Sequence, residues 1–323
     1  LRPSPVRLRG QGGRAGGRCS QPRIMGRCNQ PSIEPMKLRT RLLTALLLPV
    51  AVLAAAPPAA AACLSEAEVA VLVDSFLARK PAPNPEGLSD ADAACTRARF
   101  NQQFAPKAGG PAVGYKAGLT NPAVQKRFNA SAPVWGVVYA PMLLKDGATV
   151  DAAFGARPLF EADLLVRIGD ESINRAQTPE QAIGAIDQVI PAIELPDLMV
   201  EAPGKLDGAA IAAINVGARW FVLGEPIAAD RKIELIDALP SMRVVVMRGG
   251  EDLDVGFGRD VLGHPLNAVI WLAQDLQKHG LALKKGDLVS VGSFSKLMPP
   301  KPGKVEVQYQ GLPGNPTVAV QFR

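Results

Sequence analysis

From about residue 111 to the end, the chain is written in short apolar or alternating segments set between Gly and Pro turns. They read WGVVYAPML, LFEADLLVRIG, ARWFVLG, MRVVVMRGG, DLVSVGSF, KVEVQYQG and TVAVQFR. Runs of this length, rich in β-branched and aromatic residues and bounded by turn residues, are strand signatures. A single hairpin cannot bury such faces, so the segments must assemble into sheets that pack on something. Two stretches of helical character interrupt them. TPEQAIGAIDQVIPAIEL opens with Thr178 as N-cap and Pro179 at the first helical position. HPLNAVIWLAQDLQKHG runs from Pro265 to Gly280, with Lys278 and His279 suited to the negative helix end. The class expected is α+β with a strand-dominated main domain.

The N-terminal part differs. LSEAEVAVLVDSFLARK (64–80) places Val69, Leu72, Val73 and Phe76 on one helical face, and Ser65 with Glu68 fits a capping box. PAPNPEGLS is a linker, and DADAACTRARFNQQFA (90–105) reads as a second helix. Before these, residues 36–62 carry the basic MKLRTR, the apolar LLTALLLPVAVLAAA and a run of small residues ending at Ala62, the pattern of a secretory signal peptide. Pro49 and the shortness of the apolar run argue against a spanning helix, so no stable membrane insertion is expected after cleavage. Residues 1–35, rich in Gly, Arg and Pro, read as upstream sequence or a disordered leader. The expected organisation is therefore leader 1–35, signal 36–62, helical region 63–108 and main domain 109–323. The first 62 residues carry +9 and the rest −3, which together make the net +6, so the remainder is slightly acidic and nucleic acid is not an expected partner. Export to the periplasm is expected. The alternatives are a lipid anchor on Cys63 or, without a signal, the cytoplasm. Cys63 and Cys95 are the two cysteines outside the leader, and an even pair behind a signal peptide suggests a disulfide.

FEADLLV holds Glu161 and Asp163 inside an apolar run. In a strand the two share one face, while Phe160, Ala162, Leu164 and Val166 take the other. A half-exposed strand with its acids in water would show the same pattern. Glu194, flanked by Ile193 and Leu195 in VIPAIELP, favours a different reading. Buried carboxylates must be paired or protonated, and three that converge make an oxygen-only site for a hard cation, Mg²⁺ or Mn²⁺. In VGYKAGLT, Lys116 lies between Gly114 and Gly118, which let backbone approach a ligand closely. Lys116 is then an acid/base candidate or, alternatively, a solvated loop lysine. In DLVSVGSFSKLMPPKPG, Gly292 and Ser293 end a strand where an oxyanion could be held, or simply form a turn. His264 before Pro265 reads as a helix cap. With two histidines, neither in a cluster, a His-rich zinc site is excluded. No GxSxG or Walker A pattern occurs, and GFGRDV departs from GxGxxG at Val261.

Taken in order, GYKAGLT, VWGVVYAPM, FEADLLV, VIPAIEL, INVGARWFVLG, VLGHPLNAVIWLA and LKKGDLVSVGSFS resemble the 2-keto-4-pentenoate hydratase family, of the fumarylacetoacetate hydrolase-like superfamily, across about residues 64–323. The resemblance implies a mixed β-sandwich roll with a small helical N-terminal region, one Mg²⁺ or Mn²⁺, and a 2-keto acid substrate. It places the metal ligands at Glu161, Asp163 and Glu194. Lys116 and Ser293 become catalytic, and Gly292 and Asn215 substrate-binding. A homo-oligomer is expected. The implied reaction adds water to an unsaturated 2-keto acid. Decarboxylation, C–C hydrolysis or non-catalytic binding of keto or dicarboxylic acids remain alternatives. Pro141, Met199 and Ile214 replace an acid, an arginine and an acid of the family pattern and favour the binder.

Overall fold

A computed structural model describes residues 63–230 and 232–323. The leader and the signal segment lie outside the described residues. Two helices come first, α1 (Glu66–Ala78) and α2 (Asp90–Phe104). Each opens on a reciprocal capping box, Ser65 with Glu68 and Ser89 with Asp92. These boxes satisfy N–H groups that the first turn leaves without helical partners. The buried face of α1 is Val69, Leu72, Val73 and Phe76. Phe76 meets Phe104 edge-on at 5.3 Å between ring centroids. Cys63 and Cys95 are joined by a disulfide with their Cα atoms 5.7 Å apart, which ties the chain before α1 to the middle of α2.

The remaining elements in chain order are β1 (Ala112–Gly118), α3 (Pro122–Arg127), β2 (Val134–Tyr139), β3 (Leu143–Lys145), β4 (Ala148–Val150) and β5 (Glu161–Ile168). Then come α4 (Pro179–Gly184), β6 (Ile186–Leu195), α5 (Gly208–Ala213), β7 (Trp220–Leu223), β8 (Ile227–Ala228), α6 (Lys232–Ser241), β9 (Arg243–Arg248) and β10 (Glu251–Phe257). The last are α7 (Pro265–Lys278), β11 (Leu288–Ser290), β12 (Gly303–Gln310) and β13 (Thr317–Phe322). They build an eight-stranded mixed sheet, ordered β2-β1-β11-β5-β6-β7-β3 with β8 on β6, and a five-stranded sheet, ordered β10-β9-β12-β13-β4.

The two sheets pack face to face. Ala162, Leu164 and Val166 of β5 share a core with Val305 and Val307 of β12 and with Val318 and Val320 of β13. The other face of the large sheet is covered by helices: Leu165, Ile190 and Ala192 pack with Val69, Phe76 and Phe100. The helical region 63–108 therefore shares a core with the sheet. Full burial of each such side chain contributes about 1.5–3 kcal/mol.

One expected helix is corrected. Thr178 does cap a helix with Pro179 at its first turn, but α4 ends at Gly184, and Ile186–Leu195 is strand β6. Ile186, Val189, Ile190 and Ile193 suit a strand buried on both faces, and Pro191 would break a helix interior. β6 lies between β5 and β7, so both ladders supply its partners. The helix over Pro265–Lys278 is present, and His264 caps it by accepting the Leu266 N–H at 3.0 Å.

Candidate metal centre and active-site cavity

The antiparallel register sets Glu161 of β5 directly opposite Glu194 of β6, with Asp163 opposite Ala192. Alternation along each strand turns all three carboxylates to the helical face of the large sheet. The strand is not half exposed: Glu161 is 8% accessible, and Asp163 and Glu194 are fully buried. Lys116 reaches the same place from β1. It pairs with Ser290 of β11, and β11 pairs with β5. Its Nζ donates a short hydrogen bond to Glu194 Oε1 and another to the Val216 carbonyl at 3.1 Å. Asp163 Oδ1 accepts from the N–H groups of Leu164 (2.6 Å) and Gly292 (3.1 Å), and Oδ2 accepts from Ser290 Oγ (2.5 Å).

The electrostatics of this group are unbalanced. Three buried carboxylates face one buried ammonium. Desolvation pushes the Asp163 carboxyl up to about 7, with the Glu194 charge adding and Ser290 opposing. Burial pushes Glu194 up to about 8 against the opposing Lys116 charge. Glu161 is also raised, first by burial, with Lys116 opposing and Asp163 adding. A dication would neutralise what Lys116 does not, and carboxylate oxygens suit a hard metal. Among the described residues Glu194 Oε2 is buried without a hydrogen-bond partner, an oxygen free to take a ligand. The residues thus fit a divalent cation in charge and in donor type. As they stand, however, no three acidic, His or Cys side chains among the described residues surround a common metal position. Asp163 is turned to Ser290 and Gly292, and Glu194 is drawn to Lys116.

A cavity of about 420 Å³ opens onto this group, with Lys116, Glu161, Gly292 and Ser293 in its wall. Gly292 has φ 96°, and a Cβ there would lie 2.2 Å from Thr120 Oγ1, so glycine is required. Its N–H is spent on Asp163 rather than held for a substrate oxygen. Gly114 serves strand pairing, not ligand approach: a Cβ would lie 1.9 Å from the Leu288 carbonyl. Ser293 Oγ donates to the Ser295 carbonyl at 2.7 Å.

Asn215, expected to bind substrate, does not line this cavity. Its side chain bridges the backbone of β2 to α2: Oδ1 accepts from the Val137 N–H and from Asn101 Nδ2, and Nδ2 donates to the Val137 carbonyl. Pro141 lies on an exposed turn, and Met199 and Ile214 are buried in the helix–sheet core. None of these three lines the cavity. Asp197, beside Leu198, anchors a loop. It is fully buried, accepts the Ala156, Arg157 and Met199 N–H groups, and pairs with Arg219 at 3.0 Å. Two residues of the site carried no signal as such. Ser290 reads only as a polar position in a strand. Tyr309 reads as an inward-facing core residue of β12, yet its Oη lies 2.6 Å from the Asp163 carbonyl and 2.5 Å from that of Ala192.

No family model matches the chain. The fold is that of the fumarylacetoacetate hydrolase-like proteins. A fumarylacetoacetate isomerase/hydrolase-type protein from Oleispira antarctica overlays with a TM-score of 0.50 at 16% identity, across 65% of this chain and 94% of that one, a likeness of fold alone. The 4-oxalocrotonate decarboxylase of Pseudomonas putida G7, solved with magnesium and adipate, overlays with a TM-score of 0.70 at 26% identity, across 81% of this chain and all of that one. In sequence, 2-keto-4-pentenoate hydratase 2 of Dechloromonas aromatica (strain RCB) is 32% identical over 227 residues, 70% of this chain and 84% of that protein. The chain belongs to the 2-keto-4-pentenoate hydratase family, a family of hydro-lyases.

Proposed function

We propose that the chain is a divalent-metal-dependent hydro-lyase that adds water to an unsaturated 2-keto acid. The observation that carries this reading is the buried group of Glu161, Asp163, Glu194 and Lys116 beside a cavity that Lys116 and Glu161 line. Glu161, Asp163 and Glu194 would hold the cation, which when bound supplies Lewis-acid polarisation of the substrate's 2-keto group. Ser290 and the Gly292 N–H fix the Asp163 carboxylate, and burial excludes competing water. Lys116 Nζ is the buried proton carrier. It is held by Glu194 and Val216 and lines the cavity. As proton carrier it would take the proton of the dienol's 2-hydroxyl while C5 gains one, giving the conjugated 3-enoate, to which water then adds its hydroxyl at C4 and its hydrogen at C3. The product is a 4-hydroxy-2-keto acid, with all atoms of water retained.

Loss of the 2-keto-4-pentenoate dienol absorbance with Mg²⁺ present tests the activity. Glu161→Ala should abolish both turnover and stabilisation by Mg²⁺. Lys116→Met should lower turnover on the order of 10²-fold while Mg²⁺ still raises Tm. Near-normal turnover in Lys116→Met would reject its role. The structural likeness to a decarboxylase supports a second reading, decarboxylation of a 2-keto diacid at the same centre, and 4-oxalocrotonate in the same assay separates the two. Pro141, Met199 and Ile214 do not line the cavity, and binding of Mg²⁺ and keto acids without turnover in the same assay would favour a purely binding role. We also read the protein as exported to the periplasm, a reading supported by the Cys63–Cys95 disulfide. Among the described residues no helix is long and apolar enough to cross a membrane. A homo-oligomer belongs to the same proposal, and light scattering tests it.

A further inference from the structure

The cavity that reaches Lys116 and Glu161 does not end with them. Its wall also includes Leu119, Val124, Ile211 and Val216. Arg127, Phe128, Leu198 and Leu297 line both this cavity and a second one of about 650 Å³. The second is walled largely by Leu159, Leu206, Pro158, Pro203, Pro299 and Pro300; Arg127 and Arg157 are its charged residues, and it has no acid in its lining. Several polar groups on the route are engaged with protein partners. Asp254 accepts the Lys296 N–H at 2.7 Å and pairs with the Lys296 ammonium at 3.3 Å. Asp260 accepts the Phe257 N–H. Arg157 donates to the carbonyls of Ala156 and Glu201, and Arg127 lies over the Phe128 ring at 5.5 Å. Phe128, Leu198 and Leu297 give the two cavities a shared apolar wall. Cavities of several hundred Å³ hold ligands far larger than a five-carbon acid.

We propose that this site accepts 2-keto acids with a long apolar tail, which passes between Phe128, Leu198 and Leu297 into the second cavity. The inference rests on the 2-keto acid reading above. Each buried methylene leaves water, which at the usual burial coefficient corresponds to about threefold tighter binding per CH₂. The far end of the tail meets Arg127 and Arg157 as well as prolines and leucines, so chain length and not the end group is what separates the outcomes.

Titration calorimetry with saturating Mg²⁺ tests this. Oxalate probes the metal end alone. The series 2-oxobutanoate, 2-oxohexanoate, 2-oxooctanoate and 2-oxodecanoate probes the tail. Affinity should climb about threefold per methylene along the series. Gly204 lines the second cavity, and a Cβ there meets nothing within 4 Å. Gly204→Trp should therefore cancel the gain for the eight- and ten-carbon acids and leave oxalate and 2-oxobutanoate unchanged. Gly204→Leu gives a smaller plug if the tryptophan variant does not fold. A flat series with oxalate still bound overturns this inference and leaves the keto-acid reading standing. Unaltered long-tail affinity in the plugged variants also overturns it. If oxalate itself does not bind with Mg²⁺, the keto-acid reading falls as well.

Discussion

Replacing Tyr309 by Phe should damage the metal centre from behind. Tyr309 lies on β12 of the small sheet and is fully buried, yet its hydroxyl reaches between β5 and β6 at the Asp163–Ala192 pair. It sits 2.6 Å from the Asp163 carbonyl, 2.5 Å from the Ala192 carbonyl and 3.3 Å from the Ala192 N–H. Burial, and secondarily the Asp163 charge, hold the phenol well above its ordinary pKa, so it stays a donor. Tyr309→Phe removes one donated and one accepted hydrogen bond and leaves almost no void. Leaving a buried polar backbone group unsatisfied costs about 1–3 kcal/mol. A total near 2–3 kcal/mol lowers Tm by roughly 5–10 °C in a chain of this size. The same loss frees the strands that carry Asp163 and Glu194, so Mg²⁺ affinity should fall about tenfold or more when measured by calorimetry on the folded variant. A Tm within about 1–2 °C of the parent value, with unchanged Mg²⁺ affinity, would refute the reasoning, because the hydroxyl would then hold neither strand.

The metal-free protein should lose stability as pH rises from about 5 to 8. Asp163 and Glu194 have folded pKa values raised to about 7 and about 8, above the ordinary carboxylate values near 4. The stability they contribute is therefore complete below about pH 4 and is lost as the pH climbs through their folded values. Thermal melts in EDTA should show this fall, and saturating Mg²⁺ should remove it. A flat melt profile in EDTA would contradict the burial argument. Cys95→Ser opens a link between positions 32 residues apart, worth about 3–4 kcal/mol on chain-entropy grounds. Tm should drop, while Mg²⁺ binding to the folded protein stays unchanged; the same Tm with and without reductant would refute the contribution.

Local patterns in the chain determine a good deal of this by themselves. The two-residue repeat of FEADLLV is enough to put Glu161 and Asp163 on one face. The Ser65–Glu68 spacing, Thr178 before Pro179 and His264 before Pro265 mark helix starts that are all present, because caps depend on groups within a few residues of one another. Family motifs carry the class of chemistry, since motif order survives where overall identity is low.

Other features depend on the assembled chain. Ile186–Leu195 has a helical start just upstream and a composition that suits a strand, and pairing with β5 and β7 decides for the strand. Only that pairing sets Glu194 opposite Glu161. Lys116 reaches the carboxylates because β11 stands between β1 and β5, a neighbourhood made from segments far apart in sequence. Asn215 resembles a site residue by its motif, but its amide is committed to the Val137 backbone and to Asn101. Tyr309 has the pattern of a core residue, and its hydroxyl ends between the strands that carry the acids. Side-chain periodicity fixes which face a residue takes within its own strand. Which strand lies beside it is set by packing between distant segments, and that choice placed the acids, the lysine and the tyrosine together.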